Sequence, residues 1–219
     1  MMYQHTFADG SECTLPVGKV VCVGRNYAAH ARELGNEVPD APILFLKPST
    51  AMVSLEPEFS IPKDRGECHH ETEITVLIGE RLQHATEAEV KEAIAGFGLG
   101  LDLTLREVQN ELKKKGQPWE VAKAFDGAAP LSPFINPEVF GDITHTTFTL
   151  EVNGEQRQSG DSADMITAII PLIEFISKIF TLLPGDVIMT GTPEGVAALK
   201  KGDKLELRVV DKIMRTTVV

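Results

Sequence analysis

Cysteine and the large aromatics are scarce in this chain: its 219 residues hold three Cys, one Trp and two Tyr. Cys13, Cys22 and Cys68 are odd in number and widely spaced. That excludes a disulfide-built secreted scaffold and points to reduced thiols in a cytoplasmic protein. Basic residues are also outnumbered, with 21 Lys and Arg against 32 Asp and Glu, a formal net charge of -11 and a pI near 5.0. A nucleic-acid surface, which needs a clustered basic face, is therefore not expected. The one basic cluster, Lys113 to Lys115, ends a predicted helix, where cations suit the helix dipole and face solvent. No apolar run is long enough for a membrane span, because Ile166 to Leu183 is broken by Pro171, Glu174 and Lys178 and reads as a buried helix. The opening Met1-Met2-Tyr3-Gln4-His5 lacks the basic-then-apolar order of a secretory signal. Long Ser-rich, Gly-rich or single-charge stretches are missing as well, so residues 1–219 are expected to form one domain, with 1–18 as an N-terminal lead-in.

What is present is a globular composition, 42% hydrophobic and 24% charged, that can build a sizeable core. Lys19 to Val23 is a continuous apolar strand signal, and Gly24 permits a sharp turn into a helical stretch from Tyr27 to Leu34. Ile43 to Leu46 and Glu71 to Ile78 read as further strands. Thr86 and Glu89 match a capping box for a helix to about Ala95, followed by a strand from Gly96 to Leu103. Thr104 and Glu107 repeat that capping signal. Asn153-Gly154 between Phe148–Val152 and Glu155–Ser159 predicts a type I′ hairpin, and a helix is expected from Ala163 to Ile179. The C-terminal part, with strands at Val187–Met189, Leu205–Val210 and Ile213–Val219, is a β-rich meander. The class is therefore α+β, with a mixed or rolled β structure instead of an alternating βαβ sheet.

Glu71 and Glu73 lie two apart on a strand, so they project from one face with backbones roughly 6.6 to 6.8 Å apart and can reach one cation. Asp102, where the next strand ends and a helix begins, supplies a third carboxylate. Buried acids without partners repel one another, and a cation resolves the repulsion. An all-oxygen set favours Mg²⁺ or Mn²⁺. Zinc is the rival through Cys68, His69 and His70, but consecutive residues rarely converge on one tetrahedral site, and no C-x-x-C or H-E-x-x-H pattern accompanies them. His30 and Glu33, three apart on a helix, suit either a surface pair or a base with its orienting carboxylate. Arg106 and Gln109 are one helical step apart and can face the same space. Thr190-Gly191-Thr192-Pro193 offers hydroxyls and backbone N–H groups to a carboxylate, or an ordinary turn. Gly96-Phe97-Gly98-Leu99-Gly100 misplaces its third glycine for a dinucleotide site, so close packing explains it better.

These motifs together resemble the fumarylacetoacetate hydrolase family, in particular its short members related to acylpyruvate hydrolases and oxaloacetate-handling enzymes. The resemblance rests on Val23-Gly24-Arg25-Asn26-Tyr27 with His30, His70-Glu71-Thr72-Glu73, Asp102-Leu103-Thr104 with Arg106 and Gln109, Lys123-Ala124-Phe125-Asp126, and Thr190-Gly191-Thr192-Pro193. Glu107, Ser132 and Ala197 depart from the family pattern and bear on pocket shape. The resemblance implies the family's mixed β-sandwich roll with a few peripheral helices, a homodimer, and Mg²⁺ or Mn²⁺ held by Glu71, Glu73 and Asp102. It further implies that a small 2-oxo (di)carboxylic acid chelates the cation, so that charge developing on the 2-oxo oxygen as an enolate is stabilised. In this scheme Lys123 adds a second positive group, and His30 with Glu33 activates water or moves a proton. Arg25, Asn26, Tyr27, Arg106, Gln109 and Thr192 bind substrate. Acylpyruvate C–C hydrolysis of the fumarylpyruvate or acetylpyruvate type ranks first, because a His-Glu pair suits water activation. Oxaloacetate keto-enol tautomerisation or decarboxylation follows, then isomerisation of a 2-hydroxymuconate-type acid. A metal-dependent dicarboxylate-binding protein without turnover is the non-enzymatic alternative, and His30 and Lys123 argue against it.

Overall fold

The segment TEITVLI, Thr72–Ile78, is buried at every position, which places it in mid-sheet with both faces covered. The computed structural model describes residues 3–219, so Met1 and Met2, the head of the expected lead-in, lie outside the described residues. Thr72–Ile78 pairs antiparallel with Ile94–Leu101 on one side and with Val187–Met189 on the other. Val20–Gly24, Ile43–Lys47, Ala129–Leu131 and Met52–Ser54 complete a seven-stranded sheet. A second sheet of five strands contains the hairpin Thr147–Val152 and Glu155–Asp161, the meander Lys204–Val209 and Lys212–Val218, and the short edge Glu58–Phe59. A small third sheet joins Ala197–Ala198, Cys68–His70 and Thr104–Leu105. Ile74, Val76, Leu99 and Leu101 of the large sheet share one core with Leu150, Leu205 and Leu207 of the second. This curled, strand-rich α+β architecture with short helices is the expected class. Among the described residues no helix is long and apolar enough to cross a membrane.

Local signals account for most elements. Asn153 and Gly154 both take positive φ, 55° and 82°, as a type I′ hairpin requires. Thr86 accepts from the Glu89 N–H while Glu89 Oε2 accepts from the Thr86 N–H at 2.7 Å, the full capping box of the helix Glu87–Ala93. The glycine run in Ile94–Leu101 serves packing, since a Cβ on Gly100 would stand 2.8 Å from both Leu131 and Thr75.

Two boundaries differ from expectation. The helix Arg106–Lys114 has Leu105 as its N-cap, and Thr104, held in the small third sheet, donates its hydroxyl to the Asp102 carbonyl instead. The expected helix from Ala163 begins only at Ile169. Ahead of it Ser162–Asp164 form a single 3-10 turn, and Ile166 and Thr167 are kept out of the helix because Asn26 accepts from the Thr167 N–H through its side chain and from the Ile166 N–H through its carbonyl.

Candidate active site and metal centre

Register brings the three carboxylates together. Thr72 lies opposite Leu101, and the ladder continues one step further, with the Asp102 N–H donating to the Glu71 carbonyl at 2.8 Å. Glu73 lies opposite Gly100 in the same ladder. Glu71, Glu73 and Asp102 thus each offer a carboxylate oxygen, and these atoms lie within 4.8 Å of one another. All three residues are buried. Gly191, at φ +100° and packed where a Cβ would meet Asn26 at 2.6 Å, donates its N–H to Glu73 Oε2 at 2.7 Å.

Three buried cations face this group. Lys123 Nζ donates to Glu71 Oε2 at 2.7 Å and to Asp102 Oδ2 at 2.5 Å, and stands over the Phe45 ring. Arg106 pairs with Glu71 Oε1 and donates to Gln109 Oε1 at 2.8 Å. Lys47, fully buried, donates to the carbonyls of Lys123 and Ala128 and lies 2.8 Å from Asp102 Oδ1. The cations are not shared evenly. Burial pushes the Glu71 carboxyl up, but Lys123 and Arg106 outweigh it and hold Glu71 well below the usual carboxylate range. Glu73 goes the other way: burial first, then repulsion from Asp102 and Glu71, lifts it well above that range despite the Gly191 N–H. Lys123 is raised, because Asp102 and Glu71 override the cost of its burial.

His30 is buried, with Nδ1 3.4 Å from Glu33 Oε2, while Glu33 Oε1 accepts from the Gly195 N–H at 3.0 Å. Burial lowers the His30 pKa more than Glu71 and Glu33 raise it, so the imidazole is neutral near pH 7 and able to accept a proton.

Residues 19–219 match the family described as fumarylacetoacetate (FAA) hydrolase, C-terminal. The chain belongs to the fumarylacetoacetate hydrolase family. It is 54% identical to oxaloacetate tautomerase YcgM of Escherichia coli over the whole of both chains. A crystal structure of a fumarylacetoacetate hydrolase family protein from Yersinia pestis superposes with a TM-score of 0.97 at 50% identity, covering 99% of this chain and 100% of that one. Fumarylpyruvate hydrolase from Pseudomonas aeruginosa, solved with Mn²⁺ and pyruvate, superposes with a TM-score of 0.91 at 36% identity, covering 98% and 94%. The expected order of activities is thereby reversed: the tautomerase alternative has the stronger support, ahead of acylpyruvate hydrolysis.

In this family member, the residues fit a divalent cation on their own chemistry. The converging donors are all oxygens, and burial with repulsion from Asp102 and Glu71 holds the Glu73 carboxyl above its usual range, a repulsion that a cation between them would relieve. The zinc rival fails on geometry: Cys68 is buried in the core, His69 turns towards Glu67, and His70 Nδ1 bonds Gln158 Oε1 at 3.0 Å.

The narrow cleft in front of the carboxylates is lined by Arg25, His30, Glu71, Glu73, Asp102, Arg106, Gln109, Lys123 and Thr192, among others. Glu33 lies in the adjoining depression. Asn26 and Tyr27 do not line the cavity. Asn26 instead ties two loops, donating to the carbonyls of Thr167 and Thr190, and Tyr27 is buried in the core. The Thr192 hydroxyl is already engaged, donating to the Thr72 carbonyl at 2.9 Å and accepting from Gln158 at 2.8 Å. Glu107, Ser132 and Ala197 also stay outside the cavity lining. Lys47 enters the site from outside the expected set. Its signal is a lysine closing the apolar run Ile43-Leu44-Phe45-Leu46 before Pro48, a place where a charge needs a buried partner.

Proposed function

We propose that this chain is a divalent-cation-dependent oxaloacetate keto-enol tautomerase. The observation that carries the reading is the 54% identity to oxaloacetate tautomerase YcgM along the full length of both chains. Glu71, Glu73 and Asp102 would hold Mg²⁺ or Mn²⁺, which, when bound, supplies Lewis-acid stabilisation for negative charge on the 2-oxo oxygen. Lys123 holds a second positive charge beside the same carboxylates, and Arg106 with Gln109 orients the substrate from the helix side. His30, neutral and hydrogen-bonded to Glu33, moves the proton. Enol to keto conversion takes one proton from the enol oxygen and returns one to C3, so no water or leaving group is consumed. Hydrolysis of a fumarylpyruvate-type acid is the second reading, supported by the TM-score of 0.91 to the Pseudomonas hydrolase. Residues 1–219 are read as one catalytic domain, supported by the family match from residue 19 onward. A homodimer is inferred from the family, and a cytoplasmic setting from three free thiols.

The test is a product-resolved NMR assay of the Mg²⁺- or Mn²⁺-loaded protein with enol and keto oxaloacetate, acetylpyruvate and fumarylpyruvate. Accelerated keto-enol exchange of oxaloacetate is expected, with kcat about 10²- to 10⁴-fold lower in His30→Ala. Cleavage of the acylpyruvates without faster exchange would establish the second reading instead. Undiminished turnover in His30→Ala would remove the role given to that residue.

A further inference from the structure

Four cations line the cavity, and the two deep ones, Arg106 and Lys123, are paired with carboxylates. The other two, Arg25 and Lys113, form no ion pair among the described residues. Lys113 lies on the helix Arg106–Lys114 on the same face as Arg106 and Gln109, two turns from the first and one from the second, and it lines both the main cavity and the adjoining depression. The cluster Lys113 to Lys115 is thus not one solvated face. Lys114 is exposed and bonded to Glu111, whereas Lys113 is half-buried with its ammonium 5.2 Å from the Trp119 ring centre. A cation on an aromatic face keeps its charge while its position is fixed.

Lys113 makes no ion pair with any carboxylate among the described residues, and burial, then repulsion from Arg106, Arg25 and Lys123, outweighs the pull of Glu71 and brings its pKa down to about 8. Arg25 adds an independent sign. Its backbone sits at φ 61°, a region a long side chain rarely adopts, and its Nε is buried without a hydrogen-bond partner while the residue lines the cavity. A buried donor without an acceptor is costly, and a ligand acceptor removes that cost. The charges point the same way: the deep cations Lys47, Arg106 and Lys123 are each paired with Glu71 or Asp102, whereas Arg25 and Lys113 have no paired carboxylate among the described residues.

We propose that Lys113, seated on Trp119, forms with Arg25 a second carboxylate subsite at the cavity mouth, which makes the enzyme select 2-oxo dicarboxylic acids over 2-oxo monocarboxylic acids. This deepens the tautomerase reading and rests on it in one respect, that the 2-oxo end of the ligand faces the carboxylate triad. The helix then reads both ends of the substrate, Arg106 and Gln109 near the 2-oxo group and Lys113 at the distal carboxylate.

Trp119 is the chain's one tryptophan, so its fluorescence reports the subsite directly. The experiment titrates Mn²⁺-loaded protein with oxaloacetate and with its 4-methyl ester, which keeps the carbon skeleton and removes the distal charge. Both Trp119 emission and KM are read, in wild type, Lys113→Met, Lys113→Arg and the control Lys114→Met. Lys113→Met should weaken oxaloacetate about tenfold in both readouts and leave the ester within about twofold. Lys113→Arg should recover most of the loss, and Lys114→Met should match wild type. Equal weakening of diacid and ester, no weakening at all, or an equal effect of Lys114→Met would each overturn the subsite. Wild-type protein that binds oxaloacetate through Trp119 without accelerating its exchange would instead refute the tautomerase reading, and the fluorescence comparison would still decide the role of Lys113.

Discussion

Replacing Lys47 by Met keeps roughly the side-chain volume and removes a charge at the centre of the molecule. Lys47 is fully buried, and its ammonium serves the carbonyls of Lys123 and Ala128 and the Oδ1 of Asp102. In the variant, the Ala128 carbonyl keeps the Leu103 N–H at 3.0 Å, while the Lys123 carbonyl is left without a donor among the described residues. Asp102 keeps Lys123 on Oδ2 at 2.5 Å and loses its second cation. Removing one partner of a buried ion pair costs about 3–5 kcal/mol. Because Asp102 retains a cation, the lower end, about 3 kcal/mol, is expected. At about 2–4 °C per kcal/mol for a chain of this size, the midpoint should fall by roughly 6–12 °C. The assay is thermal unfolding of chelator-treated protein followed by circular dichroism. Saturating Mn²⁺ should narrow the gap, because the ion restores positive charge beside Asp102. A midpoint equal to or above wild type would refute the reasoning, since it would mean that the cost of desolvating Lys47 exceeds what its three contacts return.

Two further outcomes follow from the same charges. Stripping the cation should abolish activity and lower the melting temperature, and restoring free ion to about a hundredfold above its Kd should regain about 2.7 kcal/mol, or roughly 5–11 °C; full activity in metal-free protein would contradict the metal centre. His5, buried against the Gly185 carbonyl at 3.0 Å, has its pKa lowered chiefly by burial. Its contribution is therefore present above the ordinary value near 6.5 and lost as pH falls through the lower folded value. Melting curves between about pH 7.5 and 5 should show a shallower acid slope in His5→Gln than in wild type, and parallel slopes would refute that assignment.

Local chemistry made several parts of the molecule readable in advance. The hairpin at Asn153-Gly154, the capping box at Thr86 and Glu89, and the buried strand ahead of Ile78 depend on turn geometry, one hydrogen-bond pair and a period of two. The pairing of Glu71 and Glu73 on one strand face was legible for the same reason. Asp102 could be suspected from its place at a strand end, but its nearness to Glu71 depends on antiparallel register, which is a property of two strands together. The helix delayed to Ile169 and the uncapped start at Arg106 show tertiary hydrogen bonds overriding local propensity.

The α+β class and the all-oxygen donor set of Glu71, Glu73 and Asp102 were legible from residue types and short-range periods, and the family from its ordered motifs. Tertiary structure decided which polar groups are already engaged. It turned Asn26 into a loop tie, occupied the Thr192 hydroxyl, set Lys47 behind Asp102 and left Lys113 facing the cavity beside two exposed lysines. A residue's charge is written in the chain, whereas the partners that neutralise it, or fail to, come from strands and helices far apart in sequence.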